Sequence, residues 1–229
     1  MSEREKILGR IREALTVKAP MPGQHDPAKV HAAAGQPPSS RAGEWLPVAG
    51  NSFDEQLACF RENALALKAE FYGVLNRDEL AKRLVELRDA EGWKKIATHG
   101  GELTDFAAGL LGLPVLKTDA AYDVNDLEAC NAGITECDAL IAQTGSVLVT
   151  NRSAGGRALS VLPPHHVVIA RRDQLLRDLP AAFQFLKRKY GANYPSMMSF
   201  ITGPSRTGDI ERILVLGAHG PKKLTVFLV

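Results

Sequence analysis

Cysteine is scarce: Cys59, Cys130 and Cys137 are the only three in 229 residues, and no CxxC spacing occurs. An odd count leaves one thiol unpaired in any disulfide scheme, and three scattered thiols supply no zinc or iron–sulfur ligand set, so no metal site is expected. This usage fits a reducing cytoplasm. Long apolar runs are also missing. No stretch approaches the roughly eighteen apolar residues of a membrane-crossing helix. Met1-Ser2-Glu3-Arg4-Glu5-Lys6 is charged where a signal peptide would be apolar. A large charge of either sign is lacking too: 28 basic and 26 acidic residues give +2, which makes no electrostatic case for nucleic acid or a membrane surface. Neither G-x-G-x-x-G nor a Walker A string is present, so a dinucleotide or nucleoside triphosphate site has no support, and there is no G-x-S-x-G elbow for a serine nucleophile. The expectation is a soluble cytoplasmic protein.

Hydrophobic residues make up 45% of the chain, enough for a sizeable core in one domain. Residues 1–16 read as an N-terminal helical arm. Ile7, Leu8, Ile11 and Leu15 follow helical spacing, and Ser2 with Glu5 forms a capping-box pattern. Over residues 17–50 the composition shifts to proline, alanine, glycine and serine, with six of the thirteen prolines, which predicts an extended linker. The compact domain then spans 51–229. Ser52 caps a helix predicted to run to about Phe71. Residues 72–75 make a short strand, and a helix follows from Arg77 to Arg88. A strand over 93–98, the turn His99-Gly100-Gly101, a helix over 102–111 and a strand over 114–116 give the order of a parallel α/β unit. Residues 134–150 read as a strand pair around Thr144-Gly145-Ser146. A strand at 167–170 and a helix over 173–190 follow. The adjacent His165 and His166 point apart on any strand and share no metal. Arg171-Arg172, Lys187-Arg188-Lys189 and Lys222-Lys223 read as solvated faces.

The chemistry concentrates in the last thirty residues. Two apolar runs, 213–217 and 224–229, frame loops rich in glycine, proline, hydroxyls and charge. Gly203 and Gly208 allow sharp turns, Ser205 and Thr207 offer hydroxyls, and Arg206 offers a planar fork of donors suited to a carboxylate or phosphate. Asp209 and Glu211 stand close enough to orient Arg206. His219-Gly220-Pro221 forms a second loop one strand away. An anion-binding corner and plain turn chemistry with a surface ion pair both account for these residues. Gly100 and Gly101, at a helix start beyond a strand, can seat an anion or simply make a tight turn.

Thr144-Gly145-Ser146, Leu162-Pro163-Pro164-His165, the string from Gly203 to Glu211, and His219-Gly220-Pro221 occur in that order. On these residues the chain resembles the LUD family in its lactate utilisation protein C (YkgG) group, over residues 51–229. The resemblance implies an α/β fold akin to the NagB/RpiA/CoA-transferase superfamily, an open, mostly parallel sheet flanked by helices. It implies a role in growth on L-lactate beside two iron–sulfur partner proteins that together oxidise L-lactate to pyruvate. This chain would be the non-cluster subunit, with no cofactor of its own and with iron–sulfur clusters in the partners, binding a small carboxylate or supporting assembly. In that picture Arg206 pairs with the carboxylate, N–H groups near Gly145, Gly203 and Gly220 add donors, and Thr144 and Ser146 are further candidate anion-binding residues. His219 is the candidate to take the hydroxyl proton. The alternative is a stand-alone enzyme or binding protein for a phosphorylated or folate-like anion. A scaffolding module is a third reading, and the sequence leaves room for a homo-oligomer.

Overall fold

The structure, a computed structural model, describes residues 5, 8, 9, 12, 16, 48–73, 76–208, 214–217 and 219–229. The chain divides into two units, Met1–Leu46 and Pro47–Val229. In the first, Glu5, Leu8, Gly9, Arg12 and Thr16 are helical. The expected cap Ser2 and the stripe residues Ile7, Ile11 and Leu15 lie outside the described residues. So does the expected linker except for residues 48–50, which have no regular structure.

In the second unit the order is α1 (Phe53–Ala66), β1 (Glu70–Gly73), α2 (Arg77–Glu91), β2 (Ile96–Thr98), α3 (Glu102–Leu111), β3 (Val115–Lys117), α4 (Val124–Glu128), β4 (Ala132–Thr135), β5 (Ala139–Ile141), β6 (Ser146–Thr150), β7 (His165–Ala170), β8 (Leu175–Leu176), α5 (Leu179–Tyr190), β9 (Met198–Ile201), β10 (Arg206–Gly208), β11 (Leu214–Leu216) and β12 (Lys223–Leu228). Six strands form a parallel sheet in the order β1-β12-β7-β4-β2-β3. The protein is thus an α/β fold with a parallel sheet flanked by helices, as expected. A second sheet, β8-β5-β6-β9, and the two-stranded β10-β11 complete it.

The apolar runs of β7 and β12 place the main sheet in the middle of the unit, because a strand buried on both faces has no polar alternation. Successive residues supply opposite cores. Val167, Ile169 and Phe227 pack with Leu80 and Leu84 of α2 and Leu103, Ala107 and Leu111 of α3. Val168, Ala170, Leu224, Val226 and Leu228 face Phe60 and Ala64 of α1 together with Leu140, Val147 and Val149 of the second sheet. The far side of that second sheet is covered by Ala182 and Leu186 of α5.

Helix starts follow side-chain capping. Ser52 Oγ accepts from Glu55 N at 3.2 Å while the Glu55 carboxylate accepts from Ser52 N at 2.9 Å, a reciprocal box contributing about 1 kcal/mol. Asn76 caps α2 by accepting from Asp78 N and Glu79 N, both at 3.0 Å.

Several expected boundaries move. The first helix ends at Ala66 instead of near Phe71, because Lys68 turns left-handed at φ 67° and Phe71 enters the sheet beside Val226. The strand expected at 72–75 is therefore Glu70–Gly73, and Val74 and Leu75 lie outside the described residues. The strand expected from Trp93 starts at Ile96. Asn131 Oδ1 accepts from Lys94 N at 2.7 Å and Lys95 N at 3.0 Å, which occupies those N–H groups before the ladder begins. The helix expected from Asp173 starts at Leu179. Leu175 and Leu176 pair with β5, and Asp178 caps the helix by accepting from Ala181 N at 2.8 Å, just ahead of Pro180.

Candidate functional site

Three neighbouring parallel strands, β7, β4 and β2, end at Ala170, Thr135 and Thr98. The residues that follow them, Arg171, Glu136 and His99, are thereby delivered side by side at the carboxyl edge, the usual place for ligands in open α/β sheets. Arg171 donates to Glu136 Oε2 at 3.0 Å and to Glu102 Oε2 at 3.1 Å. The other oxygen of Glu102 pairs with Arg77, so this carboxylate lies between two guanidinium groups. Burial lowers the Arg171 pKa, but the Glu136 and Glu102 carboxylates outweigh it and the net shift is upward.

Glu136 also accepts from Leu103 N at 3.0 Å, in the first turn of α3, and its own N–H donates to His99 Nε2 at 3.1 Å. His99 therefore carries its proton on Nδ1, which donates to Gly100 O at 3.0 Å. Both ring nitrogens are spent on holding the His99-Gly100-Gly101 turn. Gly100 N donates to the Asp119 carboxylate and Gly101 N to Asp105 Oδ2 at 3.4 Å. Lys117 pairs with Asp105 and donates to His99 O at 3.2 Å. The Lys117 hydrogen bond holds the Asp105 carboxyl below its ordinary pKa. The N–H groups around Gly100 and Gly101 thus face carboxylates of the chain itself. A Cβ on Gly101 would lie 2.6 Å from Glu136 Oε1, so a side chain there would have to displace this carboxylate. An external carboxylate can enter with the least rearrangement by replacing Glu102, whose side chain is 60% exposed; the Glu136 carboxylate, at 15%, is held by both Arg171 and Leu103 N.

The residues expected to form the anion corner gather elsewhere, around the last turn of α1. Arg206 is exposed and donates to Leu67 O, a C-terminal helix carbonyl. Gly203, at φ 87°, passes so close that a Cβ would sit 2.8 Å from that same Leu67 oxygen. Ser205 N donates to Pro221 O at 2.9 Å and Gly217 N to Ser205 O at 3.0 Å, joining the two Gly-Pro loops beside Gly220. Thr144, Ser146 and Thr202 form a chain of hydroxyls at 2.7 and 2.8 Å, with no base in it. Asn63 of α1 ties this turn down by donating to Ala142 O at 3.0 Å and Gln143 O at 3.1 Å. His219 is exposed. Thr207 pairs with Val215 through the backbone, and Asp209 and Glu211 lie outside the described residues.

These expected site residues therefore divide. Thr144, Gly145, Ser146, Gly203, Ser205, Arg206 and Gly220 meet around α1 and the segments that enter β12, whereas Gly100 and Gly101 stand at the carboxyl end of β2. Strand register puts the two groups at opposite ends of the sheet: β12 begins at Lys223 beside His165, and β2 begins at Ile96, level with Ala132 and through it with the same His165. Arg171, expected on a solvated face, instead bridges two carboxylates. The available signal was its position directly after Val167-Val168-Ile169-Ala170, where a buried parallel strand ends.

Gly145 supplies a direct test of the α1 corner. Its φ is 63°, and a Cβ would lie 2.6 Å from Ala64 N and 2.8 Å from Asn63 C, both backbone atoms. Gly145→Ala is expected to lower stability by about 2–4 kcal/mol, from left-handed strain plus overpacking. Gly112→Ala, at φ 60° with open space around it, should lose only about 1 kcal/mol. Urea unfolding of both variants measures the difference, and equal losses would remove the close approach as the cause.

The family model described as LUD domain matches residues 57–229. Lactate utilization protein C of Shouchella clausii is 30% identical over 185 residues, covering 78% of this chain and 80% of that protein. Lactate utilization protein C of Geobacillus thermodenitrificans is 27% identical over 216 residues, covering 85% and 86%. The crystal structure of a DUF162 family protein from Deinococcus radiodurans superposes with a TM-score of 0.60 at 21% identity, over 79% of this chain and 99% of that one, a likeness of fold. With the family model spanning the α/β unit from α1 to the C-terminal strand, the chain belongs to the LUD domain family.

Proposed function

We propose that this chain serves lactate utilisation as the non-cluster subunit of an L-lactate-oxidising system whose iron–sulfur clusters reside in two partner proteins. The observation that carries the reading is the match, over 80% of its length, to the Shouchella clausii protein named for lactate utilisation. Three cysteines in the whole chain fall short of the four thiolates of an ordinary cluster, which is why the reading assigns electron transfer to the partners. Within it, this chain binds the small carboxylate at the carboxyl edge of the sheet. What supports Arg171 over Arg206 for that task is the partner each one has. Arg206 caps a helix carbonyl, whereas Arg171 holds an exposed, exchangeable carboxylate together with Arg77.

The test has two stages. The tagged chain, recovered from its host grown on L-lactate, should bring two iron–sulfur proteins and lactate-dependent dye reduction with it. A lone chain, with those proteins demonstrably expressed, overturns the reading. In the recovered complex, Arg171→Gln should lower kcat/KM for lactate about 10- to 100-fold, the cost of a charge-assisted bond of about 1.5–3 kcal/mol. Arg206→Gln should stay near wild type. The reverse order of effects would move the seat to the α1 corner.

A further inference from the structure

The second sheet carries a surface that the carboxylate site does not use. A helix is about 10 Å across, whereas four strands at about 4.8 Å spacing present a face nearly twice as wide. α5 packs on this face through Ala182 and Leu186, against Ala139, Ile141 and Leu148, and leaves the margin at edge strand β9 incompletely covered. Met198 and Phe200 point to the same side of β9 by its two-residue period. Met198 is 44% exposed, and Phe183 on α5, 59% exposed, leans on Phe200 with ring centroids 5.6 Å apart. Tyr194, in the α5–β9 connection, is 47% exposed.

Along the segment that carries this apolar plate, beyond the capping Asp178, the charge has one sign. Residues 179–201 contain no Asp or Glu and three cations, Lys187, Arg188 and Lys189. Lys189 is neutralised by Asp138, but Lys187 and Arg188 are exposed, and Lys187 is four residues from Phe183 on the same helix face. Arg152 and Arg157 add to the rim, tied to the same connection through Asn193 Oδ1 at 3.0 Å and Ser196 O at 2.9 Å. An exposed aromatic centre with a cationic rim has the anatomy of a protein interface.

We propose that the face formed by Phe183, Met198 and Phe200 docks a protein partner that presents an apolar patch ringed by carboxylates. Charge decides the occupant. A second copy of this chain on the same face would set Lys187 and Arg188 against their own counterparts, since a two-fold interface pairs each patch with itself. A partner with acidic residues converts those cations from a cost into attraction and faster encounter. Nucleic acid fits less well, because bases stack on open ring faces inside a charged groove, and here Phe183 is turned onto Phe200.

The inference rests on the complex proposed above, so the two iron–sulfur proteins are the probe. The purified full-length chain is titrated with them at low and at high salt, beside Phe183→Ser and the pair Lys187→Glu/Arg188→Glu. Expected results are binding by wild type that weakens as salt rises, and affinity at least about tenfold weaker in both variants with unchanged thermal melting. No binding by wild type would overturn the complex itself, and the docking face with it. Wild-type binding retained by both variants would overturn the face alone. A concentration-dependent dimer lost in Phe183→Ser, or a salt-sensitive preference for single-stranded oligonucleotides lost in the charge-reversed pair, would give the face to a different occupant and also overturn the proposal.

Discussion

Lys189→Ala is expected to destabilise the protein by about 3–4 kcal/mol at neutral pH, more than Asp138→Ala, although the lysine is the more exposed of the two. The Asp138 side chain is fully buried, while that of Lys189 is 44% exposed. Asp138 Oδ1 accepts from Lys189 Nζ and Tyr190 OH, both at 2.6 Å, and the Tyr190 hydroxyl also lies 3.2 Å from Thr150 Oγ1. Asp138 N donates to Leu148 O at 2.8 Å, so the cluster fastens the end of α5 to the second sheet. When the aspartate is removed, Lys189 swings into water. When the lysine is removed, a buried carboxylate loses its cation. The ceiling on that penalty is the cost of protonating the carboxylate instead, about 1.4 kcal/mol for each of roughly three pH units.

The pH dependence follows from the same cluster. Burial pushes the Asp138 pKa up, but the hydrogen bonds from Lys189 and the surrounding hydroxyls more than offset it, leaving the carboxyl below its ordinary value. A depressed carboxyl contributes stability that is present above its unfolded pKa and lost as pH falls through the folded one. The Lys189→Ala deficit should therefore shrink as the pH is lowered toward 4, where protonating Asp138 becomes cheap. Asp138→Asn combined with Lys189→Ala should recover part of the loss. Urea midpoints across pH decide it: a deficit that is independent of pH, or a double variant worse than Lys189→Ala, would contradict a buried-charge origin.

Acid should unfold the protein through His165 and His166, by several kcal/mol between pH 6.5 and 4. Both histidines lie on the interior strand β7 and point to different partners, as alternation on a strand requires. His165 Nε2 meets Thr225 Oγ1 at 2.8 Å, and its ring stands edge-on to Trp93 at 5.3 Å. His166 Nε2 meets Thr135 Oγ1 at 2.9 Å. Neither Nδ1 has a hydrogen-bond partner. Burial lowers the His165 pKa to about 4, Glu91 opposing and Lys223 reinforcing it, and burial with the neighbouring His165 lowers that of His166 to about 3.

For a lowered histidine the native state resists protonation while the unfolded chain accepts it. Stability is then full above the unfolded value of 6.5 and falls as pH drops toward the folded values. Each histidine contributes a slope of about 1.4 kcal/mol per pH unit across that window, so the two together rival a typical domain stability of about 5–15 kcal/mol. Urea midpoints from pH 7.5 to 4 measure the slope, and His165→Gln/His166→Gln should flatten it. A wild-type midpoint that stays level down to pH 4 would contradict the buried neutral pair.

Much of this protein was legible in its residues. Ser52 marks the start of α1, Gly100-Gly101 the turn into α3, and the apolar runs 167–170 and 224–229 the strands β7 and β12. The separation of His165 from His166 follows from the two-residue period alone. Expectation and structure part where periodicity continues across a tertiary break. Leu67 and Phe71 extend the helical stripe of α1, yet pairing beside Val226 draws Phe71 into the sheet. Leu175 and Leu176 read as helix, yet β5 takes them as a strand.

The candidate site shows the same division. The sequence by itself determined the local turns and the α/β order, because caps, glycines and apolar periods act over a few neighbouring residues, and its ordered motifs carried the resemblance to the LUD family. Only the tertiary structure decided which polar groups meet. Arg171 reaches Glu136, 35 residues away, and Glu102, 69 away, because β7, β4 and β2 are neighbours in a sheet whose strand order is not their chain order. Parallel register also places Gly100 and Gly203 at opposite ends of that sheet. Local chemistry carries no information about strand order; burial of the two apolar faces fixes it.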